Sequence, residues 1–285
     1  MKPAVADLLK VLQLERLEIN LFRGVSRDLL GTPRVFGGQV LGQALFAASA
    51  TVEPIRAVHS LHAYFLLAGD VNAPIIYEVD RSRDGGSFSS RRVVAIQHGQ
   101  QIFHMSASFQ AAQDGLNHQL PMPAVPAPET LPDMFESLGK ATGAPGTNWR
   151  SAAPLPIEFR AVDTDAPGAD GRGKPTSEFW FRTVDKLPDD PMLHRSVLAY
   201  ASDFHLLYAA AKPHGITFPN DKVRLATIDH AMWFHRPLRV DDWLLYCVNS
   251  PSASGARGLA LGSVFSRDGV HVASVAQEGM VRVKS

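Results

Sequence analysis

The alternation of apolar and polar positions divides the chain into two similar series of elements. In the first series, the run Gln39–Ala50 (QVLGQALFAASA) has helical spacing and almost no charged face, which predicts an enclosed helix. Strand-like runs follow it, and a turn at His98-Gly99 precedes the last of them. The predicted strands are His59–Leu67, Ile75–Asp80, Ser89–Ile96 and Ile102–Gln110.

The second series repeats this order. The run Val197–Ala211 predicts an apolar helix that Pro213 and Gly215 end. The strands predicted after it are Leu225–Phe234, Trp243–Asn249, Arg257–Phe265 and Val270–Val283, with a turn at Asp268-Gly269 before the last. One enclosed helix followed by an antiparallel meander, occurring twice, predicts an α+β protein. Two antiparallel sheets would each wrap a central helix and join side by side.

Three segments lie outside the two series. The first ~20 residues have leucines on one side of a predicted amphipathic helix: Leu8, Leu9, Leu12 and Leu17. Residues 121–155 are dense in proline (PMPAVPAPETLP), which excludes regular helix and predicts a linker. A short strand is predicted at Pro156–Ala161. We therefore expect one repeat in residues 1–120 and another in residues 156–285.

The composition excludes several classes of protein. The chain has 285 residues, 45% of them hydrophobic. Its 28 Lys and Arg balance its 28 Asp and Glu, so its net charge does not favour binding to nucleic acid or to an anionic membrane. No stretch approaches the ~20 apolar residues that span a bilayer, and the N-terminus lacks a signal-peptide core. The single cysteine, Cys247, rules out an internal disulfide. We expect a cytoplasmic protein without membrane insertion.

Only the second repeat carries the polar residues that chemistry needs. Placing ALFAAS over LLYAAA sets Phe46 opposite Tyr208, and Leu41 opposite Asp203. Placing HAYF over HAMWF sets Val58 opposite Thr227. The pattern predicts an active second copy and an inactive first copy.

Three residues of the second repeat are candidates for catalysis. Asp203 lies in an apolar helical run (YASDFHLLYAAA), where a buried carboxylate needs hydrogen-bond partners. The alternative is that Ser202 or Asp203 caps a helix starting at Phe204.

The other two candidates lie on predicted strands. Thr227 is the second candidate, although threonine is also an ordinary strand residue. Gln277 interrupts an apolar strand and could orient a water molecule, or could occupy an exposed position near Gly279. Gln110, at the end of the first repeat's last strand, is a similar residue, so the difference between the two repeats is less clear at Gln277 than at the other two positions.

Further polar positions are weaker candidates. Gly37 and Gly38, with Gln39, open a buried helix whose amides could bind an oxyanion, although close packing explains the glycines equally well. Arg91 and Arg257 could contact phosphates, or merely solvate a strand face. Asp229 and His230 are neighbours on a predicted strand and should point to opposite faces, so they should not act as a pair.

The absent motifs narrow the chemistry. The sequence has no G-x-S-x-G, H-E-x-x-H, C-x-x-C or Walker motif, so a serine hydrolase elbow, a zinc protease site and a phosphate loop are disfavoured. Cys247 alternates within LLYCV as a small core residue, which disfavours a nucleophilic thiol. We expect no metal and no cofactor.

Four segments carry a resemblance to a known family. FGGQVLGQAL, RDGGSFSSRRV, ATIDHAMWFHRP and SASGARG resemble the acyl-CoA thioesterase II family over nearly the whole chain. The resemblance implies a fused double-hotdog fold, hydrolysis of acyl-CoA to free fatty acid and CoA, and assembly into a homodimer or homotetramer. It also implies a catalytic Asp, Thr and Gln at Asp203, Thr227 and Gln277. The chain departs from the family at Leu67, where relatives often have arginine.

The implied chemistry needs no cofactor. A thiol leaving group with a pKa near 8.5 can depart as thiolate, so the demanding tasks are placing a water and stabilising an oxyanion. Two alternatives remain. A hotdog hydratase or dehydratase resembles a D-x-N-P-x-H pattern that this chain lacks, and a non-catalytic acyl-CoA sensor would not need Asp203.

Overall fold

The computed structural model describes residues 1–27, 34–134, 155–162, 172–216 and 223–284. The first half contains two helices and six strands in an antiparallel arrangement. They are α1 (Pro3–Leu12), β1 (Glu15–Glu18), β2 (Leu21–Gly24), α2 (Gly37–Ser49), β3 (Arg56–Phe65), β4 (Ile75–Asp84), β5 (Phe88–Gln97) and β6 (Gln100–Ala111).

The second half has the same order with additional strands at its beginning. Its elements are β7 (Ile157–Ala161), β8 (Thr176–Thr183), α3 (Pro191–Ser202), α4 (Tyr208–Ala211), β9 (Val223–Thr227), β10 (Asp229–Phe234), β11 (Leu244–Ser254), β12 (Arg257–Ser266) and β13 (His271–Val283). Short 3-10 turns at Pro128–Thr130 and Lys212–His214 complete the described structure.

All described strands join one continuous antiparallel sheet. Its order is β1-β2-β4-β5-β6-β3-β10-β13-β12-β11-β8-β7, and β9 pairs with the end of β13. The halves meet where β3 pairs with β10, from Asp229 opposite Tyr64 to Trp233 opposite Ser60. The two predicted sheets therefore share one hydrogen-bonded ladder, as expected from the sequence.

The two central helices pack against each other on glycines. A Cβ at Gly42 would lie 3.0 Å from the carbonyl oxygen of Ser196, and one at Gly38 would collide with the carbonyl of Tyr200. Since the start of α2 meets the end of α3, the helices run antiparallel. Both are largely enclosed: Leu41 and Tyr200 have no exposed surface. The absence of a charged face on α2 follows from this burial.

The structure corrects several element boundaries. The run Val197–Ala211 is not one helix: α3 ends at Ser202, and α4 begins at Tyr208. The first helix stops at Leu12, so Leu17 lies exposed in β1 rather than on the helix. Leu225–Phe234 is interrupted at Ile228, between β9 and β10.

The proline-rich segment follows the surface of the second half. Its side chains Met122, Val125 and Leu131 pack on an apolar cluster that contains Trp180, and the indole Nε1 of Trp180 donates a 2.9 Å hydrogen bond to the carbonyl of Pro126. This part of the predicted linker is a packed strap. Residues 135–154 of the prediction lie outside the described residues.

No helix among the described residues is long and apolar enough to cross a membrane.

Candidate active site

A cavity of about 620 Å³ lies beside the start of α2, where the two halves meet. Polar groups from Asp203, Thr227 and Gln277 reach its wall, which is otherwise largely apolar. Its apolar side chains are Val35, Phe36, Val40, Phe65, Leu66, Leu67, Ile102, Phe103, Phe204, Leu206, Leu207 and Leu225. A largely apolar cavity with a few polar groups is typical of a site for an aliphatic ligand.

Asp203 reaches this cavity because α3 ends there. It is the residue after the last helical one, with φ −80° and ψ −8°, and His205 two positions later has the left-handed φ of 64°. That turn directs the chain away from the helix axis. Asp203 is thus neither within a continuous helix nor the N-cap of a new one; it is the C-cap of α3.

Three side chains form a hydrogen-bonded cluster at the wall. The hydroxyl of Thr227 donates to Oδ1 of Asp203 at 3.1 Å, and Nε2 of Gln277 donates to Oγ1 of Thr227 at 2.8 Å. The sequence prediction named these residues, and the structure brings them together. Gln277 is 1% exposed, so the alternative of an exposed strand position is wrong.

A fourth polar residue, His230, belongs to the same cluster. Its Nδ1 lies 2.7 Å from Oε1 of Gln277. In an unbroken strand over Leu225–Phe234, period-two alternation would put Thr227 and His230 on opposite faces. The register slips by one residue at Ile228, because Thr227 pairs with Gly279 whereas Ala231 pairs with Ala276. An irregularity of this kind brings both side chains to the same face.

Asp229 is directed away from the cluster, and its Oδ1 accepts a 2.8 Å hydrogen bond from the backbone N–H of Glu278. Asp229 and His230 therefore contact different partners, and the expectation that they do not act as a pair stays a prediction. The prediction did not identify His230 as part of the site. The signal that could have found it is an imidazole in an otherwise apolar strand, one residue beyond a break.

The helix start at Gly37-Gly38 meets the carboxylate of Asp203. The backbone N–H of Gly38 donates a hydrogen bond to it, and a Cβ on Gly37 would lie 2.7 Å from Oδ2. The positive end of the α2 dipole therefore faces a negative charge. Gln39 is fully buried behind the helix start, where its Nε2 donates to the carbonyl of Val25 at 3.1 Å.

Burial dominates the electrostatics of the cluster. Desolvation raises the pKa of Asp203 to about 6, although Thr227, Gly38 and Gln277 donate hydrogen bonds that lower it. Desolvation also lowers the pKa of His230 to about 4, so this imidazole is neutral at pH 7. A carboxylate that becomes basic near neutral pH suits the activation of water.

The structure buries one of the two arginine candidates and leaves the other exposed. Arg91 is 2% exposed, and its guanidinium donates to Thr51 and Asp84 in the first half. A buried and fully engaged guanidinium cannot reach a substrate phosphate, so this prediction is corrected. Arg257 is exposed at the start of β12 and pairs with Glu278 at 3.0 Å.

The corresponding region of the first half lacks the polar cluster. Counting from the turn glycines, Gly99 and Gly269, places Ala107 at the position of Gln277; Gln110 is therefore not its counterpart. Val58 pairs with Phe109 as Thr227 pairs with Gly279, which supports the strand alignment made from the sequence.

The helix alignment made from the sequence needs correction. Both helices end in Ala-Ser, at Ser49 and Ser202, so the counterpart of Asp203 is Ala50 rather than Leu41. Arg91 lies beside Ala107 and binds Thr51, the residue after Ala50. Arg91 thus adjoins the two positions, Ala50 and Ala107, that correspond to the carboxylate and the amide of the second half.

Neither a metal nor a reactive thiol is indicated in the described parts of the chain. No group of three or more His, Cys, Asp or Glu side chains there could hold a metal ion. Burial raises the pKa of Cys247 to about 12, which leaves its thiol protonated and unreactive.

Comparison with known proteins extends over the whole chain. The profile of "Acyl-CoA thioesterase" matches residues 158–280, and that of "Acyl-CoA thioesterase N-terminal domain" matches residues 27–110. The chain is 42% identical over 286 residues to acyl-CoA thioesterase 2 of Haemophilus influenzae, which covers 99% of both chains.

Solved structures show the same likeness. An acyl-CoA thioesterase II from Mycobacterium marinum is 44% identical, with a TM-score of 0.80 over 98% of this chain and 99% of that one. A protein of unknown function with a hot dog fold from Alicyclobacillus acidocaldarius has the same TM-score and coverage at 20% identity, which shows the fold alone. The expected tandem hotdog fold is confirmed. With full-length identity above 40% to a curated thioesterase, the chain belongs to the acyl-CoA thioesterase family.

Proposed function

We propose that the protein hydrolyses fatty acyl-CoA to free fatty acid and CoA, with Asp203, Thr227 and Gln277 as its catalytic residues. The observation that carries this proposal is a hydrogen-bonded carboxylate, hydroxyl and amide on one wall of an apolar cavity. The cavity accounts for an aliphatic acyl chain, and the cluster accounts for a water molecule that must be held and deprotonated.

The reaction begins with a water held by the carboxylate of Asp203, which Thr227 and Gln277 orient by their hydrogen bonds. As its oxygen bonds to the thioester carbonyl carbon, the Asp203 carboxylate takes its proton. The carbonyl oxygen becomes an oxyanion, which we assign to the backbone N–H of Gly37 at the start of α2, since Gly37 lines the cavity and the N–H of Gly38 already donates to Asp203. Collapse of the intermediate breaks the C–S bond. The leaving thiolate then takes the proton from Asp203, giving a free thiol and a carboxylic acid.

The rate enhancements expected from a base and an oxyanion donor suit a site without a metal. A positioned base contributes about 10²–10⁴ in rate, and one oxyanion donor about 10²–10³. A thiol with a pKa near 8.5 leaves without a strong acid. Among the arginines predicted for CoA phosphates, only Arg257 is exposed, so we retain it and exclude Arg91.

The first experiment measures thiol release from acyl-CoAs of increasing chain length by the wild type and by Asp203→Asn. We expect wild-type turnover and a loss of at least about a hundredfold in the variant. Turnover that survives the substitution would overturn the role of Asp203. Acyl-CoA binding without turnover at any chain length would overturn the enzyme and leave a sensor.

We also propose that residues 1–120 form an inactive copy. Ala50, Val58 and Ala107 stand where the second half has Asp203, Thr227 and Gln277, and Arg91 adjoins Ala50 and Ala107. The first half would contribute α2 to the shared site rather than a site of its own.

The homodimer or homotetramer and the cytoplasmic location expected from the sequence belong to the same proposal. Two aromatic side chains on the central strands support an assembly: Tyr64 on β3 is 49% exposed, and Trp233 on β10 is 36% exposed. Exposed aromatics on adjacent strands favour contact with another chain. Sedimentation equilibrium that gave the mass of a monomer at micromolar concentration would exclude it.

A further inference from the structure

A buried chain of polar groups extends from the catalytic cluster into the protein. Nδ1 of His230 lies 2.7 Å from Oε1 of Gln277, and Nε2 of His230 lies 2.9 Å from Oγ of Ser202. His230 and Ser202 have no exposed surface, and Gln277 has 1%. Water cannot replace these bonds from outside, so each donor here must match an acceptor.

The ionised carboxylate sets the direction of every bond in this chain. A carboxylate only accepts, so the hydroxyl proton of Thr227 must be donated to Asp203. Oγ1 of Thr227 is then an acceptor, which requires the NH₂ of Gln277 to face it. The carbonyl Oε1 of Gln277 is therefore left facing His230.

Since that carbonyl can only accept, Nδ1 of His230 must carry a proton. The imidazole is neutral, because burial lowers its pKa to about 4, so Nε2 is an acceptor. The hydroxyl of Ser202 is the donor to it. The carbonyl oxygen of Ala199, 2.9 Å from the same Oγ, competes for this hydroxyl proton.

We propose that His230 is a positioning residue that fixes the amide of Gln277 through a one-way hydrogen-bond chain from Ser202 through His230, Gln277 and Thr227 to Asp203. The proposal rests on the thioesterase function above. Without the Nδ1–H donor, the amide of Gln277 is free to rotate by 180°. Its carbonyl would then attract the hydroxyl proton of Thr227 away from Asp203, and its NH₂ would no longer donate to Thr227 and to the carboxylate that activates the water.

Two substitutions separate this role from simple packing. The side-chain amide nitrogen of Asn stands close to the position of Nδ1, so His230→Asn keeps the donor to Gln277, whereas His230→Leu fills the space without a donor. We expect kcat to fall about tenfold or more in His230→Leu with KM within about twofold, and to stay within about threefold of wild type in His230→Asn. Equal losses in both variants would overturn the proposal.

A double substitution tests whether His230 acts through Gln277. If it does, His230→Leu should cost little more once Gln277→Ala is present, so the effects should be strongly non-additive. Additive losses would show that His230 acts by another route. Thermal unfolding of each variant shows whether a loss of activity comes from misfolding or from a misoriented amide of Gln277. Ser202→Ala removes only the far end of the same hydrogen-bond chain and serves as a milder variant in both measurements.

The pH profile supplies a readout that packing alone does not change. A lost hydrogen bond to the carboxylate raises its pKa, so the acid limb of kcat/KM should move to higher pH in His230→Leu and not in His230→Asn. Among the described residues, the ionisable groups that line the cavity or face Asp203 are His205 and Tyr208 on its own segment, His230 on β10, Tyr246 on β11 and Arg34. Both histidines have pKa values of about 4, and burial raises that of Tyr246 well above its ordinary value, so Asp203 alone titrates near pH 6.

The tautomer of His230 can be measured without substrate. We expect ¹⁵N NMR of the histidine-labelled wild type to show a neutral ring protonated at Nδ1 at pH 7. Protonation at Nε2 would overturn the chain even if the enzyme is active. Conversely, an inactive wild type with the expected tautomer would refute the thioesterase function and leave the hydrogen-bond chain intact.

Discussion

A single hydroxyl at Thr227 connects the carboxylate of Asp203 to the amide of Gln277, donating to one and accepting from the other. Removing it leaves a buried N–H of Gln277 without its acceptor and the carboxylate with one donor fewer. Each of these two losses would change how the cluster holds the proposed water.

Thr227→Val tests this connection with a side chain of nearly the same shape, the one that Val58 already has in the first half. We expect kcat/KM to fall about 10–100-fold, because two buried hydrogen bonds of roughly 1 kcal/mol each are lost. Thr227→Ser, which keeps the hydroxyl, is the control and should retain most of the activity. Full activity in the valine variant would remove Thr227 from the catalytic cluster.

The charge of Asp203 should appear directly in the pH dependence of the reaction. With its pKa raised to about 6 by burial, the carboxylate is protonated below that pH and cannot accept a proton from water. We expect kcat/KM to fall about tenfold per unit below pH 6 and to level off above it. An acid limb near pH 4 would indicate a solvated carboxylate.

The sequence predicted the three residues of the polar cluster more completely than their surroundings. An aspartate among apolar residues and a glutamine within an apolar strand are visible as exceptions to a pattern. His230 was missed because period-two alternation assumes an unbroken strand, and the slip at Ile228 depends on how β13 pairs with two segments. That pairing is tertiary, so no local pattern indicates it.

At the scale of elements, the start of α2 is fitted to the end of α3. A Cβ at Gly37 would lie 2.7 Å from Oδ2 of Asp203 and 3.1 Å from the ring of Phe65. Gly37→Ala should therefore displace the carboxylate and lower kcat/KM about tenfold or more. Gly86→Ala is the matched control, because nothing lies within 4 Å of its Cβ position. An unchanged rate in Gly37→Ala would mean that the carboxylate can shift without cost.

Element prediction succeeded where periodicity and turn glycines agreed, as in the β5–β6 and β12–β13 hairpins. It failed at β8 (Thr176–Thr183), where the aromatic run SEFWFRT was not recognised as a strand, and at β1 and β2 beside the first helix. It also failed to break the second helix at Ser202. The runs on both sides of the break, Val197–Ala201 and Leu206–Ala211, are apolar, so the helical pattern reads as continuous across it. The left-handed His205 that follows the break is stabilised by ring contacts with Phe159 and Phe179.

For the whole molecule, buried ionisable groups predict sensitivity to acid. His205 and His230 have folded pKa values of about 4, below their ordinary 6.5, so the unfolded chain binds more protons between these values and stability falls as the pH falls. Between these two pH values, each histidine lowers the free energy of unfolding by about 3 kcal/mol. The pKa of Asp203 is raised to about 6, so its effect on the free energy of unfolding has the opposite sign. As the pH falls to 4, protonation of Asp203 offsets about 3 kcal/mol of that loss.

We therefore expect a net loss on the order of 3 kcal/mol in the free energy of unfolding between pH 6.5 and pH 4, measured by urea unfolding. Asp203→Asn removes the offset, so this variant should be more stable than wild type above pH 6 and should lose stability more steeply in acid. The same pH dependence in both proteins would show that Asp203 is not desolvated in the folded state.

The seam between the halves has a consequence for the gene. Asp203, Thr227 and Gln277 come from one copy, whereas the helix start at Gly37 and Gly38 comes from the other. After a duplication, selection could let one set of reactive side chains decay while still protecting the copy that lost them. If the first copy carries no chemistry of its own, as proposed, the site still depends on it, so substitutions that abolish activity should map to both halves of the chain.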